Sequence, residues 1–301
     1  MINNERGRAY LLLHIAIVLY GFTGILGRLI QLEGVVLVWY RMVITLISLC
    51  LFPGLIKKAV SLPKATILKI TGLGVLLSIH WVTFFDGIRF SNVSITLSCL
   101  ASTAFFTSIF EPLVFKRRIQ WREMLLGAIV IVGFVFMFNA TGGKYLFGMG
   151  ISILSAVIVA LVGVGNKVLV SKEDPLSITL LEFAGGVLGL TLMLPVYLYF
   201  LPETVLIPRT IDLFYLIILA LLCTTLAYNL NMYAIRHISA YTSALSINLE
   251  PIYAMIMAWL IFREDKELSP GFYAGAAIIL LSVFLNAWYE WQMASSRRKL
   301  V

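Results

Sequence analysis

Apolar residues run in stretches of about 20, separated by short polar segments, and the stretches fall into two sets of five. An α-helix needs roughly 20 mostly apolar residues to cross the hydrocarbon core of a bilayer. The first set covers residues 9–30, 34–52, 67–88, 92–115 and 121–139, and the second covers 147–169, 176–200, 211–235, 240–262 and 270–291. The pattern predicts an all-α integral membrane protein with ten transmembrane helices.

The two sets also predict an internal repeat within one membrane domain, residues 1–301. Because five crossings is an odd number, the second repeat (147–291) would enter the bilayer from the side opposite to the first (9–139). Short matches keep a common order, such as Phe115-Lys116-Arg117 with Phe262-Arg263-Glu264, and Gly87-Ile88-Arg89 with Ala234-Ile235-Arg236. Inverted repeats of this kind are typical of secondary transporters that work by alternating access.

Composition and charge fit a membrane protein. Hydrophobic residues make up 60% of the chain and charged residues only 13%, too few to cover a water-facing surface. Of the 23 Lys and Arg residues, 16 lie in segments that would be cytoplasmic if the N-terminus is inside, and 6 lie in outer segments. This bias predicts cytoplasmic termini in a bacterial inner (plasma) membrane, and it explains the net charge of +8 without a nucleic-acid partner.

Motifs of other protein classes are absent from the sequence. Cys50, Cys99 and Cys223 lie in apolar runs without metal-ligand spacing. There is no phosphate-cradling glycine loop, zinc motif or nucleophile elbow. We therefore expect no cofactor, no metal and no enzyme activity. A polytopic membrane enzyme or scaffold is the alternative class, but an enzyme would need clustered His, Asp or Cys, and three scattered histidines do not provide that.

Four patterns carry a resemblance to a known family. They are Leu37-Val38-Trp39-Tyr40-Arg41-Met42; Phe85 to Ser94; Leu249-Glu250-Pro251 with Leu260-Ile261-Phe262-Arg263-Glu264; and Gly271 with Gly275. Over residues 9–291 the chain resembles the drug/metabolite transporter superfamily, specifically the ten-helix EamA-type transporters. The resemblance implies that helices 1–4 and 6–9 surround a central cavity, that helices 5 and 10 are peripheral, and that helices 3, 4, 8 and 9 act as gates.

One departure from the family pattern concerns the fourth span. The family proline would fall near Ala104, the counterpart of Pro251, but the sequence has Glu111-Pro112 about two turns later. We therefore expect any kink in span 4 to lie toward its cytoplasmic end, without a break that matches span 9.

Acidic residues inside the spans are the first candidates for function, because ionisable groups are costly in a membrane. Glu250 precedes Pro251 in span 9, where the proline frees a backbone carbonyl four residues earlier. Such a site suits a substrate amine or a proton, although a protonated Glu250 could simply cap a neighbouring helix. Glu111 is a second coupling candidate; alternatively, it pairs with the nearby basic residues 116–118.

Basic residues give two further candidates. Arg41 in span 2 could bind a substrate carboxylate through two parallel hydrogen bonds, or it could anchor helix ends on the outer side. Its counterpart in span 7 is Glu182, and inverted symmetry places the two at opposite depths, so we expect no direct pair. Asp86 and Arg89, near the outer end of span 3, form either a gate pair or a plain surface ion pair.

Aromatic and amide residues occupy matched places in spans 3 and 8. His80, Trp81 and Phe84 align with residues 227, 228 and 231, which predicts a cavity wall for a partly apolar solute. Ordinary helix packing is the alternative, and His80 could simply hydrogen-bond to a neighbour. The predicted substrate pathway is Trp81, Phe84, Tyr228, Asn231, Glu250, Arg41, His80, Tyr20 and Asn166. The predicted coupling or gating residues are Glu250, Glu111, Pro251, Asp86 and Arg89.

These features favour an exporter of amino acids or similar small metabolites, coupled to protons through Glu250. The runner-up is an antiporter of sugar phosphates or nucleotide sugars, which would need several basic groups in the cavity, where the sequence offers only Arg41 and Lys167. The expected partners are a small-molecule substrate, protons and the lipid bilayer. One chain holds both halves, so a monomer can form the pathway, and a dimer is left open.

Overall fold

The computed structural model describes residues 2–118, 121–141, 143–247, 249–263 and 269–298, and every regular element in these ranges is a helix. This confirms the all-helical prediction for the described residues. The helices are α1 Ile2–Leu29, α2 Gly34–Cys50, α3 Leu55–Val60, α4 Lys64–Phe90, α5 Val93–Leu100, α6 Thr103–Phe115, α7 Trp121–Thr141, α8 Leu146–Val170, α9 Pro175–Phe200, α10 Thr210–Ala220, α11 Ala227–His237, α12 Ala240–Ile247, α13 Glu250–Phe262 and α14 Pro270–Arg298. A π-helical turn, Leu221–Leu226, joins α10 to α11.

The lengths and hydropathies of these segments are those of an integral membrane protein. Within the described residues, six helical segments are long and apolar enough to cross a bilayer: Glu5–Leu29, Lys64–Phe90, Val93–Phe115, Leu146–Val170, Pro175–Phe200 and Thr210–His237. Shorter apolar helices include Gly34–Cys50 and Pro270–Ser282. Helix α9 shows the pattern clearly, because it exposes Leu188, Leu192 and Val196 along one face, as a lipid-facing stripe would.

Two of the segments predicted as single spans are broken at matched places. Span 4 divides into α5 and α6 at residues 101–102, and span 9 divides into α12, which ends at Ile247, and α13, which begins at Glu250. Leu249, between these two helices, stands 147 positions after Ser102. The expectation of a kink near Pro112 was wrong, since that proline lies inside α6 without interrupting it. Hydroxyl groups make the first break stable, because Ser102 Oγ donates to the Cys99 carbonyl at 2.7 Å and Thr103 Oγ1 donates to the Leu100 carbonyl at 2.7 Å.

Helices α6 and α13 end in the same way. Lys116 has φ 52° and Arg263 has φ 56°, so both residues adopt the left-handed conformation that usually favours glycine. The Lys116 N–H donates to the Pro112 carbonyl, and the Arg263 N–H donates to the Trp259 carbonyl. These two caps stand at the positions that the sequence alignment of the halves pairs, which supports that alignment.

Glycine residues allow two pairs of helices, α4 with α9 and α7 with α14, to pack closely. At Gly74 in α4, an added Cβ would overlap the backbone carbonyl of Glu182 in α9, so only glycine permits this approach. Helices α7 and α14 lie along each other in the same way, since a Cβ on Gly275 would lie 2.6 Å from the Gly133 carbonyl oxygen. Small residues at both crossings let the backbones meet without a gap.

Candidate substrate cavity

A cavity of about 140 Å³ lies at the centre of the helices. Helices α1, α2, α4, α8 and α11 line it, together with the broken pairs α5–α6 and α12–α13. No residue of α7 or α14 is among those that line it in the described part of the chain, as expected if these helices are peripheral. The cavity therefore lies where the two halves meet and where both helix breaks occur.

All nine residues of the predicted substrate pathway line this one cavity. They are Tyr20, Arg41, His80, Trp81, Phe84, Asn166, Tyr228, Asn231 and Glu250. They come from six helices that are far apart in the sequence, and the fold alone brings them together. Their role in binding a solute stays a prediction.

Arg41 is held rigidly in the cavity wall, with a relative exposure of only 1%. Its Nε donates to Thr224 Oγ1 at 2.6 Å, and its guanidinium carbon lies 3.9 Å from the centroid of the Trp81 ring. Within the described chain, Arg41 Nη1 has no hydrogen-bond partner. Arg41 is among the residues that line the cavity, and it has an unused donor. Whether it binds a carboxylate or anchors helix ends stays a prediction.

The π-helical turn explains how Arg41 finds its partner. The hydroxyl of Thr224 donates to the Leu219 carbonyl at 2.7 Å, and Thr225 Oγ1 donates to the Ala220 carbonyl at 3.0 Å. Both bonds reach back five residues, to carbonyls at the start of the widened turn. The hydroxyl oxygen of Thr224 is thereby turned toward Arg41. Sequence reasoning missed Thr224, because nothing in the apolar pattern marks a π-helical turn.

An aromatic cluster forms the wall beside Arg41. The ring centroids of Trp81 and Phe183 are 5.5 Å apart, and those of Phe183 and Tyr228 are 5.7 Å apart. Trp81 and Tyr228 meet edge to face at 6.3 Å. Trp81 and Tyr228 give the cavity an aromatic surface, and Phe183 packs against both rings without lining the cavity itself.

Glu182 lies directly behind this wall, and sequence reasoning considered it only as the counterpart of Arg41. The Tyr228 hydroxyl donates to Glu182 Oε2 at 2.9 Å and accepts a hydrogen bond from Asn166 Nδ2 at 2.8 Å. Glu182 is completely buried. A buried acid in an apolar span was the available signal for this residue. The structure gives it no bond to Arg41, as expected.

Glu250 occupies the first turn of α13, next to the break between α12 and α13. Its relative exposure is 6%, and it faces the cavity. Pro251 lies in the same turn, where a missing N–H costs nothing because the first helical donors have no partner within the helix. The side chain of Pro251 lies outside the described residues. The positive end of the α13 dipole favours a negative group at this place.

Two of the remaining lining residues are engaged by neighbours. His80 Nδ1 lies 2.8 Å from Ser155 Oγ and 3.1 Å from the Ser155 carbonyl oxygen, so His80 is hydrogen-bonded to α8. Asn231 accepts a hydrogen bond from Ser243 Oγ at 2.9 Å and is bonded to the Tyr20 side chain. These contacts connect α4 to α8, and α11 to both α12 and α1, across the cavity.

Asp86 and Arg89, the predicted gate pair, are not among the residues that line the cavity, and the ion pair that the structure gives Arg89 differs from the predicted one. Arg89 Nη2 lies 3.1 Å from Glu33 Oε1 instead of pairing with Asp86, because the loop before α2 brings Glu33 over the end of α4. The Asp86 carboxylate lies against the backbone of Gly34, at the start of α2. Glu111 is buried in α6 and does not line the cavity.

Glu33 is the centre of a hydrogen-bonded cluster that also holds α9. Its carboxylate accepts hydrogen bonds from Tyr197 at 2.7 Å and from Thr204 at 3.3 Å. Partial burial opposes ionisation of Glu33, but the hydrogen bonds from Tyr197, Arg89 and Thr204 outweigh it and hold the pKa below its usual value. This cluster ties the loop before α2 to α4 and to the end of α9.

Lys167, the second cation considered for the cavity, is not among the lining residues and instead binds backbone carbonyl groups. Its Nζ donates to the Ile235 carbonyl at 2.7 Å and to the Ile238 carbonyl at 2.6 Å. These are carbonyls at the C-terminal end of α11, where a cation is favourable. Arg41 is therefore the one arginine or lysine among the residues that line the cavity in the described part of the chain.

A central cavity enclosed by two matched sets of apolar helices defines the class of membrane transporters. The chain belongs to the EamA-like transporter family, whose model matches residues 7–139 and again residues 146–288. The family match confirms the resemblance seen in the sequence motifs. It establishes an integral membrane transporter, a class that implies a small-molecule substrate.

Two relatives agree with this class, and a solved structure shares the fold. The UDP-uronic acid transporter 1 of Arabidopsis thaliana is 26% identical over 209 residues, which cover 67% of each chain. A protein named "Probable sugar phosphate/phosphate translocator" from the same plant is 25% identical over 209 residues, 67% of this chain and 58% of that protein. One crystal structure has the same fold, with a TM-score of 0.66 at 13% identity, over 95% of this chain and 98% of that one.

Proposed function

We propose that this protein is a secondary transporter of small, amino-acid-like solutes, which it exports by alternating access. The solute would carry a carboxylate, an amine and a modest apolar group. Arg41 would bind the carboxylate, Glu250 would bind the amine or exchange a proton, and Trp81 and Tyr228 would contact the apolar part. Each role is assigned from the position of the side chain in the cavity.

The unused donor of Arg41 is the observation that carries this proposal. The guanidinium is oriented by Thr224 and Trp81, yet Nη1 has no partner among the described residues. A buried donor without a partner is costly, and a carboxylate is the group that a guanidinium binds best. A solute carboxylate at this point would remove that cost at the moment of binding.

Charge balance and size narrow the solute further. One arginine, Arg41, and one acidic residue, Glu250, line the cavity in the described part of the chain, together with the histidine His80. This balance suits a zwitterion better than a solute with two or more negative charges. A volume of about 140 Å³ also suits a small metabolite in this conformation.

Uptake by proteoliposomes tests the substrate class. The purified full chain would be reconstituted and offered radiolabelled leucine, phenylalanine, glutamate, glucose 6-phosphate and UDP-glucuronic acid in separate experiments. We expect uptake of at least one amino acid by the wild type and at least a tenfold loss for Arg41→Gln. Arg117→Gln, an exposed arginine outside the cavity, serves as the matched control and should keep full uptake. Uptake of no amino acid would contradict the proposal.

Glu250→Gln tests the proton coupling in the same system. If Glu250 carries the coupled proton, the variant should still exchange solute across the membrane but should no longer respond to a pH gradient. A variant whose uptake keeps the full pH-gradient dependence of the wild type would exclude this role.

An antiporter of sugar phosphates or nucleotide sugars is the second candidate. The names of the two plant relatives support it, although a doubly charged phosphate group would need more basic residues than the cavity offers. Uptake of UDP-glucuronic acid or glucose 6-phosphate, without uptake of amino acids, would favour this candidate over the first.

The membrane arrangement belongs to the same proposal. We infer ten transmembrane helices, counting the shorter and the broken ones, in two inverted repeats, 9–139 and 147–291. Both termini would be cytoplasmic in a bacterial inner membrane, and one chain would form the pathway. Single cysteines at Lys57 and Glu203, in a variant without the native cysteines, test the orientation. An impermeant thiol reagent should label only position 203 in intact cells.

A further inference from the structure

The second buried acid, Glu182, reaches the cavity through one hydroxyl group. Glu182 itself is absent from the cavity lining, and its side chain is completely buried on α9. Tyr228, which does line the cavity, joins it at 2.9 Å. Asn166 donates to the same hydroxyl oxygen at 2.8 Å. The three side chains form a short chain of hydrogen bonds from α9 to the cavity wall.

The surroundings of Glu182 do not compensate a negative charge. Within the described residues, no cation pairs with its carboxyl group, and Oε1 has no hydrogen-bond partner. The groups that face it are Tyr228 from α11 and Asn166 from α8, with Tyr20 on the far side of Tyr228. On the side of α4, the Glu182 backbone meets Gly74, which carries no side chain. An isolated buried carboxylate is unfavourable, so a neutral acid is readily formed here.

We propose that Glu182 carries a proton and thereby sets the direction in which the Tyr228 hydroxyl donates. When Glu182 is ionised, Tyr228 donates to it and offers the cavity only its oxygen. When Glu182 is protonated, its own O–H donates to the Tyr228 oxygen, which also accepts from Asn166. The Tyr228 hydrogen then turns toward the cavity. The proton remains on Glu182, and Tyr228 keeps its own hydrogen, so no group other than Glu182 changes its charge.

This switch gives the cavity a donor that depends on protonation. The donor would recognise an acceptor oxygen of the solute, such as a carboxylate or carbonyl, and Glu182 would be a positioning residue that acts through Tyr228. Solute recognition at this donor rests on the proposed function, because it requires the cavity to bind a solute. The link between Glu182 and Tyr228 does not, and it can be measured on the protein alone.

Infrared spectroscopy of the full chain in liposomes, without solute, tests the link. Protonated carboxyl groups give a C=O stretching band that moves to lower wavenumber when the acid is hydrogen-bonded. We expect a pH-dependent band that Glu182→Gln removes and that Tyr228→Phe moves to higher wavenumber. Glu182→Asp, which keeps the acid but shortens its reach, should move the band without removing it. Glu111→Gln, a buried acid outside the cavity wall, should leave the band unchanged.

Three results would overturn the proposal: a band that survives in Glu182→Gln, a band that Tyr228→Phe leaves in place, or no Glu182 band at any pH at which the protein stays folded. Failure of the proposed function looks different. In that case the infrared shifts would appear as expected, while proteoliposomes would take up none of the offered amino acids.

Discussion

Two helix interfaces occupy corresponding places in the two halves, yet they are built from opposite chemistry. In one, α4 packs against α9 through glycines, with Gly74 on the Glu182 backbone and Gly185 on the Thr71 backbone. In the other, α2 packs against the π-helical turn through hydroxyl groups. Thr45 Oγ1 donates to the Ala220 carbonyl at 3.2 Å, and Ser48 Oγ lies 2.9 Å from Thr225 Oγ1.

The sequence alignment of the halves relates these contacts residue by residue. With the offset that pairs Arg41 with Glu182, Thr45 corresponds to Gly186 and Ser48 to Gly189. Two glycines of α9 at the first interface, Gly186 and Gly189, therefore stand where α2 has hydroxyl residues, whereas Gly185 aligns with Ile44. A glycine contact brings two backbones together and leaves no polar group to place, whereas a hydroxyl contact can satisfy freed carbonyls and orient a charged side chain.

This difference explains why Arg41 and Glu182 behave differently although they hold matched positions. Arg41 lies at the hydroxyl interface, where Thr224 orients it and where it lines the cavity. Glu182 lies at the glycine interface, behind the wall, and is hydrogen-bonded to the cavity-lining side chains of Tyr228 and Asn166. The two halves repeat the same helix arrangement, but they place different side chains at and behind the cavity wall.

The largest expected effect comes from filling the glycine interface. Gly74→Leu adds a side chain where even a Cβ would overlap the Glu182 carbonyl. We expect destabilisation of about 3 kcal/mol or more, the upper range for overpacking, and loss of the monodisperse peak in size-exclusion chromatography. Gly72→Leu is the matched control, because a Cβ at Gly72 meets nothing within 4 Å. Equal behaviour of the two variants would refute the close contact.

The hydroxyl interface is tested by Thr224→Val, which keeps the shape but removes the acceptor of Arg41 Nε. A hydrogen bond to a charged group is worth about 1.5–3 kcal/mol, so we expect about a tenfold or greater loss of amino acid uptake. The measurement is the initial uptake rate together with the thermal midpoint. Thr225→Val removes a neighbouring hydroxyl that bonds Ser48 instead, and it should keep most of the uptake. An equal loss in both variants would mean that Arg41 is not specifically oriented by Thr224.

A smaller effect should be equal in the two halves, since their left-handed caps are alike. Lys116→Gly and Arg263→Gly each place glycine where a side chain is strained, and each should stabilise the protein by about 1 kcal/mol. Thermal unfolding in detergent measures this as a raised midpoint. Lys57→Gly, inside α3, should have the opposite sign, because glycine weakens a helix interior. If one substitution raised the thermal midpoint and the other lowered it, the two helix ends would not be structurally equivalent.

The smallest effect concerns the Glu33 cluster, which ties the loop before α2 to α4 and to the end of α9. The folded-state pKa of Glu33 lies below its ordinary value of 4.5. Its stabilisation is therefore present above that value and is lost as the pH falls through the folded-state pKa. Because Arg89 is half-exposed, we expect less than about 1 kcal/mol. Thermal midpoints of wild type and Glu33→Gln should converge on acidification, and a constant difference across pH would argue against the linkage.

Much of the helical architecture can be predicted from the apolar pattern. The helix breaks in spans 4 and 9 and the cluster around Glu33 cannot. The sequence pattern locates the helices of the described chain to within a few residues, as α4 (Lys64–Phe90) shows against the predicted 67–88. It misplaces the break in span 4, because the signal there is a pair of hydroxyl residues at 102–103 instead of a proline. It misses the pairing of Glu33 with Arg89, since residues 56 positions apart in separate loops and helices share no local pattern.

The sequence by itself determined that the protein is a helical membrane protein and that its two halves match each other. It also determined the small set of polar residues that line the cavity. Burial in lipid makes each polar residue in a span costly, so the few that remain stand out against the apolar background. Only the tertiary structure decided which of them share contacts. The partners of Arg41, Glu182 and Lys167 depend on a π-helical turn, on glycine contacts and on a helix end, all of which are set by packing between distant segments.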